Sequence, residues 1–128
     1  AKVDFLGFLN EDARNRFFKQ VDVAVFPSLY EPFGIVALEA MAAHVPVIVS
    51  DTGGLSEVVA HGIDGYKAPP GHPGALAYYI KEVLTNPGLA RDLTRKAWKK
   101  VLTVYDWQHI AMETLEVYRE AREIYRGY

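Results

Sequence analysis

Short apolar segments alternate with helical patterns along the first half of the chain. Four segments are predicted strands, namely residues 3–9, 21–27, 46–50 and 65–68. The second and third are almost continuously apolar, which is typical of strands covered on both faces. Helical patterns over residues 11–20 and 33–43 lie between them, and a short helix follows residue 54. This alternation predicts parallel β-α-β units with right-handed crossovers.

The second half predicts only helices. Pro73 stands where a first helical residue belongs, and Asp106 is suited to cap the last helix as Asn10 is to cap the first. Apolar side chains recur three or four positions apart in each segment. The predicted inward-facing positions are Leu76, Tyr79, Ile80, Val83, Leu84, Leu89, Leu93, Ala97, Val101, Trp107, Ile110, Ala111, Leu115, Tyr118 and Tyr125. The fold prediction is one α/β domain over residues 1–128, with a Rossmann-like parallel sheet of about four strands, flanking helices and a helical C-terminal half.

Composition and charge argue against nucleic-acid and membrane partners. The 128 residues are 50% hydrophobic and 23% charged, as in ordinary globular domains long enough to bury a core. A net charge of −2 gives no reason to expect nucleic acid as a partner. No apolar run approaches the roughly 20 residues of a membrane span. The chain has no cysteine, which fits a cytoplasmic location.

The segment most informative about chemistry is residues 28–41, which follow the predicted second strand. Open α/β sheets bind ligands at this carboxyl end of their strands. Pro32 and Gly34 open the helix, so that a ligand can approach its first backbone N–H groups closely. These N–H groups and the helix dipole form an anion site suited to a diphosphate.

Two glutamates flank this helix start. Glu39 is a single carboxylate among apolar side chains, a costly position unless it has hydrogen-bond donors or faces an opening. Glu31 precedes it by eight positions, an axial separation of about 12 Å at a rise of about 1.5 Å per residue. That separation suits the hexose and ribose ends of a nucleotide sugar.

Simpler interpretations remain open for each feature. Glu31 is also suited to stabilise the helix N-terminus, and Glu39 to mark a solvent-facing stripe. The segment from Asp51 through Thr52 and Gly53 to Gly54 is equally consistent with a plain strand-to-helix turn. All of these residues nevertheless fall at consecutive strand ends on one rim of the sheet, which favours a binding site.

Residues 22–59, DVAVFPSLYEPFGIVALEAMAAHVPVIVSDTGGLSEVV, resemble the C-terminal domain of retaining glycosyltransferases of the GT-B architecture. The resemblance is greatest to the group that includes glycogen synthases and sucrose and trehalose synthases. Its signature is a pair of glutamates separated by seven residues around a Pro-Phe-Gly helix start, followed in order by the Thr-Gly-Gly turn and Gly65-Tyr66. It covers nearly the whole chain.

The resemblance implies a role for each matching residue. Glu31 would contact the donor hexose near the reacting carbon, as the catalytic-site glutamate, and Glu39 would accept hydrogen bonds from the ribose hydroxyls. The other implied substrate-binding positions are the backbone of Phe33, Gly34 and Ile35 for sugar and diphosphate, Leu38 for the nucleotide pocket, Leu9 for the base, and Thr52, Gly53 and Gly54 near sugar and phosphates. The resemblance implies no metal and no cofactor.

The chain departs from the family pattern in three ways. The Arg and Lys that neutralise the donor diphosphate, and the N-terminal acceptor-binding domain, have no counterpart in this sequence. His44 stands where the family has a helix-ending Gly; we interpret it as a structural variation. We therefore expect a partial donor-binding domain that is inactive alone and that meets its glucan or sugar acceptor through the missing domain.

The family strand order 3-2-1-4-5-6 raises a structural question. Residues 3–9 correspond to the third strand and lack their native neighbours. We expect either that they pair with residues 21–27 or that another copy of the chain fills the gap, since unpaired strand edges promote association. Aromatic surface around Trp107 should also remain uncovered.

The leading functional hypothesis is a glycogen-synthase-like hexosyltransferase domain that binds a nucleotide-sugar donor, ADP- or UDP-glucose, for retaining transfer in glycogen biosynthesis or a related pathway. The alternative is a non-catalytic module that binds nucleotides or nucleotide sugars. A small flavodoxin-like domain of unrelated purpose is a third hypothesis, but it gives no reason for the paired glutamates.

Overall fold

The computed structural model describes residues 2–127. Helices and strands alternate in the first half, and the second half is helical. The elements are α1 (Glu11–Phe18), β1 (Ala24–Phe26), α2 (Ile35–Ala42), β2 (Val47–Ser50), α3 (Gly53–Val58), β3 (Tyr66–Ala68), α4 (Pro73–Thr85), α5 (Pro87–Val104) and α6 (Trp107–Arg126). This order confirms the predicted α/β fold class.

The sheet is parallel, in the order β1-β2-β3. Ile48 in the central strand is in register with Val25 on one side and Tyr66 on the other. Every residue of β2 is buried, because helices cover both faces of the strand. The apolar run from Val47 to Val49 predicted this burial.

The first predicted strand is absent, so the described sheet has three strands rather than about four. Residues 2–10 are irregular, and Phe5 and Phe8 are 95% and 94% exposed. The expectation that this segment pairs with β1 is therefore wrong. A parallel strand needs a neighbouring strand to hydrogen-bond with, and both of its faces are normally covered by helices. Residues 3–9 have neither. Filling of the gap by a second copy of the chain stays a prediction.

Helix α2 is the centre of the larger core. Ala37, Ala40 and Met41 are fully buried, and small alanines allow the helix to lie close to β1, β2 and α5. A second cluster on the other face of the sheet contains Ile48, Val83 and Leu93. The prediction that Leu84 of α4 faces the core is wrong, since this side chain is 51% exposed.

Helix α6 begins as predicted but is not covered. The Oδ2 atom of Asp106 accepts hydrogen bonds from the backbone N–H groups of Gln108 and His109 at 3.0 and 3.4 Å. None of the helix's described residues is buried, and Trp107 is 83% exposed. This confirms the expected aromatic surface around Trp107, although the stripe on α6 is not an inner face here. Among residues 2–127, no helix has the length and apolar content needed to cross a membrane.

His44 lies directly after the last turn of α2 in the left-handed region, with φ of 60°. This is the position at which helices favour glycine. The imidazole stacks on the indole of Trp98 in α5, with ring centroids 5.0 Å apart. The stacking contact offsets part of the backbone strain.

Two substitutions separate these effects. His44→Ala loses the stack and keeps the strain, so it should lower the free energy of unfolding by about 1 kcal/mol. His44→Gly also loses the stack but relieves about 1 kcal/mol of strain, so it should remain close to the unaltered chain. Urea unfolding of both variants is the measurement. Equal destabilisation by the two would show that the backbone is not strained at this position.

Candidate functional site

The predicted site residues come together where two loops pack on each other. One loop joins β1 to α2 and carries Glu31; the other joins β2 to α3 and carries Thr52. The backbone N–H of Gly54 donates to the carbonyl oxygen of Glu31 at 2.8 Å, and the Thr52 hydroxyl donates to the carbonyl of Leu29 at 3.4 Å. The ends of β1 and β2 therefore form one structural unit, as their positions on one rim predicted.

The two glycines at the start of α3, directly after the second loop, make this contact possible. A Cβ at Gly53 would overlap the carbonyl oxygen of Glu31, and the residue has φ of 48°. A Cβ at Gly54 would lie 2.6 Å from both the Cα and the carbonyl carbon of Phe33. The interpretation of this segment as a turn is thus correct at the structural level, and the turn supports the loop that carries Glu31. Its nearness to sugar and phosphates stays a prediction.

Glu31 lies against the N-terminus of α2. Its Oε1 atom accepts hydrogen bonds from the N–H groups of Phe33 and Gly34, each at 3.3 Å. Gly34 is the N-cap residue, with φ of 74°, and a Cβ there would lie 3.2 Å from the Leu55 side chain. Glu31 thus serves the simpler role of stabilising the helix start. A diphosphate that uses the same N–H groups has to displace this carboxylate.

Glu39 lies on the open face of α2 and has a partner that the sequence did not indicate. Its Oε1 atom is 2.7 Å from Nη2 of Arg14 in α1. The two side chains are 30% and 28% exposed, so the carboxylate is neither buried alone nor part of a fully exposed stripe. Nothing in the local pattern of residues 11–18 distinguishes Arg14 from the other polar positions of α1, since the pair forms across 25 positions of sequence.

The open face of α2 forms one wall of a groove of about 410 Å³. Ile35, Leu38 and Glu39 line this wall, and Trp107 and Ile110 of α6 line the opposite one. The groove is largely apolar with a single carboxylate, an arrangement suited to an organic ligand that carries hydroxyl groups.

Leu9 is connected to the site through α1. It is half-buried and precedes Asn10, whose Oδ1 caps the helix by accepting from the N–H of Ala13 at 2.9 Å. One turn further on, Arg14 reaches Glu39. The helix therefore links the predicted base-bordering position to the predicted ribose-binding carboxylate.

A polar cluster joins the ends of β2 and β3. The Lys67 ammonium lies 3.5 Å from Oδ1 of Asp51 and 3.2 Å from the carbonyl oxygen of Ser56. The pKa of Asp51 is lowered, first because the Ser56 hydroxyl donates to its carboxylate and secondly because of the nearby Lys67 charge. Lys67 and Arg14 are thus each paired with a carboxylate.

Comparison with known proteins places these features in a wider group. The family model described as "Glycosyl transferases group 1" matches residues 1–100. An uncharacterized glycosyltransferase of Methanocaldococcus jannaschii is 46% identical over 96% of this chain and 32% of its own length. Glycogen synthase of Mycobacterium tuberculosis is 39% identical over 92% of this chain and 28% of its own length. The chain spans about a third of the length of the curated relatives that it matches.

A solved structure shares the fold. HepE from Anabaena, crystallised in complex with UDP-glucose, superposes with a TM-score of 0.82 at 27% identity. The match covers 91% of this chain and 32% of HepE.

Proposed function

Because the chain belongs to the glycosyl transferases group 1 family, we propose that it is the donor-binding part of a hexosyltransferase. The observation that carries this proposal is the packing of the two loops at the ends of β1 and β2. It holds the carboxylate of Glu31 beside the start of α2, while Glu39 lies roughly one turn along the same helix. A carboxylate just before the helix and a second one on its partly exposed face suit a ligand with hydroxyl groups at both ends and an anion between them.

The proposed donor is UDP-glucose or ADP-glucose. The UDP-glucose complex of HepE supports a nucleotide-sugar donor, and the glycogen synthase relative supports glucosyl transfer to a glucan. The chain spans about a third of the length of such relatives, and in this proposal a further part of the protein binds the acceptor. In this proposal the 128 residues act as a single, partial donor-binding domain.

Each part of the site has a role in the proposed reaction. In transfer with retention, the bond from the sugar C1 to the diphosphate breaks and a bond from C1 to an acceptor oxygen forms on the same face. The N–H groups and dipole at the start of α2 would stabilise the departing diphosphate. Glu31 would hold the hexose hydroxyls, Leu38 would contact the nucleotide, and Glu39 would bind the ribose.

A non-catalytic nucleotide-binding module is the second candidate. The observation that favours it is the pairing of Arg14 with Glu39 and of Lys67 with Asp51, since neither cation is positioned to neutralise a departing diphosphate. Turnover separates the two candidates. A protein that joins this chain to an acceptor-binding domain should lose transfer on Glu31→Gln if the chain is part of an enzyme.

Glu39→Ala should weaken binding of UDP or ADP by about tenfold or more. Loss of hydrogen bonds to a charged group costs about 1.5–3 kcal/mol, because the ribose hydroxyls then face a site without acceptors. Isothermal titration calorimetry of the purified chain with UDP, ADP and their glucose conjugates is the measurement. It also shows which base is preferred.

Glu113→Ala is the matched control, since Glu113 is an exposed glutamate of α6 outside the groove lining. It should leave nucleotide affinity unchanged. Equal affinity of the Glu39→Ala variant and the unaltered chain would remove the ribose-binding role proposed for Glu39.

A further inference from the structure

We propose that Arg14 is a positioning residue of this site, which orients the Glu39 carboxylate for the two ribose hydroxyls and so makes the site selective for ribonucleotides. The inference rests on the proposed function, since it concerns the same carboxylate. Its basis is the contact at 2.7 Å between Nη2 of Arg14 and Oε1 of Glu39, together with the unusual environment of the guanidinium.

The contact restricts Glu39 while leaving acceptor capacity for a ligand. A carboxylate has about four lone-pair sites, and the structure gives Arg14 a contact to Oε1 alone. Oε2 and the second lone pair of Oε1 are then available for two hydroxyl donors. The side chain also lines the open groove between α2 and α6, so a ligand in that groove reaches it.

A Glu39 side chain that is already held in place before the ligand binds gives a higher affinity. A free glutamate side chain loses rotamer entropy when a ligand orders it. If Arg14 already holds the carboxylate, the ligand does not have to order it, and more of the hydrogen-bond energy appears as affinity. A ligand without the ribose hydroxyls makes no hydrogen bonds to Glu39, so its affinity does not depend on whether Glu39 is held in place.

The Arg14 guanidinium includes a buried donor that forms no hydrogen bond with the described residues. The Nε atom of Arg14 is the only buried side-chain nitrogen or oxygen within residues 2–127 that lacks a hydrogen-bond partner. Such a donor is unfavourable in the folded chain, because it has lost its hydrogen bond to water without gaining another. Violations of this kind concentrate at functional sites, and here the violation falls on the residue that contacts Glu39.

The opposing explanation is that the ion pair between Arg14 and Glu39 only stabilises the packing of α1 on α2. The two explanations differ in what Arg14→Met does. A structural tie affects stability and lowers affinity for all nucleotides together, whereas a positioning role lowers the affinity for UDP and leaves that for 2′,3′-dideoxy-UDP unchanged.

The test is calorimetric titration of the 128-residue chain with UDP and 2′,3′-dideoxy-UDP. The unaltered chain should prefer UDP by about tenfold or more, and Arg14→Met should reduce this preference at least about fivefold through weaker UDP binding. Arg14→Lys, which keeps the charge without the planar fork, should restore the preference only in part. Arg16→Met is the matched control, because Arg16 is an exposed arginine on the same helix, and it should leave the preference unchanged.

Circular dichroism melting accompanies each variant, and Arg14→Lys provides the comparison if Arg14→Met does not fold. A preference for UDP that Glu39→Ala abolishes and neither Arg14 variant alters overturns the positioning role and leaves the proposed function in place. Absence of UDP binding by the unaltered chain overturns both.

Discussion

Gly54→Ala should lower the free energy of unfolding by about 3 kcal/mol, the upper end of the usual range for overpacking, because the added atom meets parts that cannot move. The added Cβ would lie 2.6 Å from the Cα and carbonyl carbon of Phe33 and from the carbonyl oxygen of Pro32. All three are backbone atoms, so no side-chain rotation relieves the overlap. The loops would separate, and the hydrogen bond from Gly54 to Glu31 would be lost.

Gly88→Ala is the matched control for this prediction. Gly88 is the second residue of α5 and a Cβ there meets no atom within 4 Å, so alanine should stabilise the chain by about 0.5–1 kcal/mol. Urea unfolding followed by circular dichroism measures both variants. If Gly54→Ala unfolds at the same urea concentration as the unaltered chain, the two loops are not packed as described.

Asp64→Ala should destabilise the chain by about 3 kcal/mol, the lower end of the range for removing one member of a buried ion pair. Asp64 is 4% exposed. Its Oδ2 lies 2.6 Å from Nζ of Lys100 and its Oδ1 accepts from the N–H of Ala60 at 2.8 Å. The substitution would leave the N–H of Ala60 and the ammonium of Lys100 without this partner. We use the lower end because Lys100 is 24% exposed, so water solvates part of the remaining charge.

Two further variants identify the cause. Asp92→Ala removes an exposed carboxylate of α5 that pairs with Arg95 and Lys96, and it should leave the thermal unfolding midpoint close to that of the unaltered chain. Lys100→Met added to Asp64→Ala removes the uncompensated charge and should recover part of the lost stability. A double variant less stable than Asp64→Ala alone would contradict a penalty that arises from unpaired charge.

The sequence predicted the parallel sheet because its strands are local apolar runs. Residues 47–49 form such a run between two helical patterns, and they become the fully buried centre of β2. The same reasoning failed for residues 3–9, which are also mostly apolar but have no neighbouring strand in the described sheet. Strand propensity depends on a partner strand, and a local pattern does not report whether that partner exists.

For the candidate site, the sequence predicted where the residues lie but not which residues they contact. The positions of Glu31 and Gly54 at consecutive strand ends predicted that they would lie on one rim, and the hydrogen bond between them confirms it. The partners of the charged residues were not predictable. Arg14 with Glu39 and Lys100 with Asp64 are separated by 25 and 36 positions, and such pairs depend on how the helices pack on the sheet.

In the proposed complex, a nucleotide sugar binds along α2 between Glu31 and Glu39. Nuclear magnetic resonance of the isotopically labelled chain during titration with UDP-glucose tests it most directly, because backbone amide shifts report the place of binding. We expect the largest shifts at Phe33, Gly34 and Gly54 and around Glu39, with little change in α4. Shifts confined to other parts of the chain, or none at millimolar UDP-glucose, would contradict it.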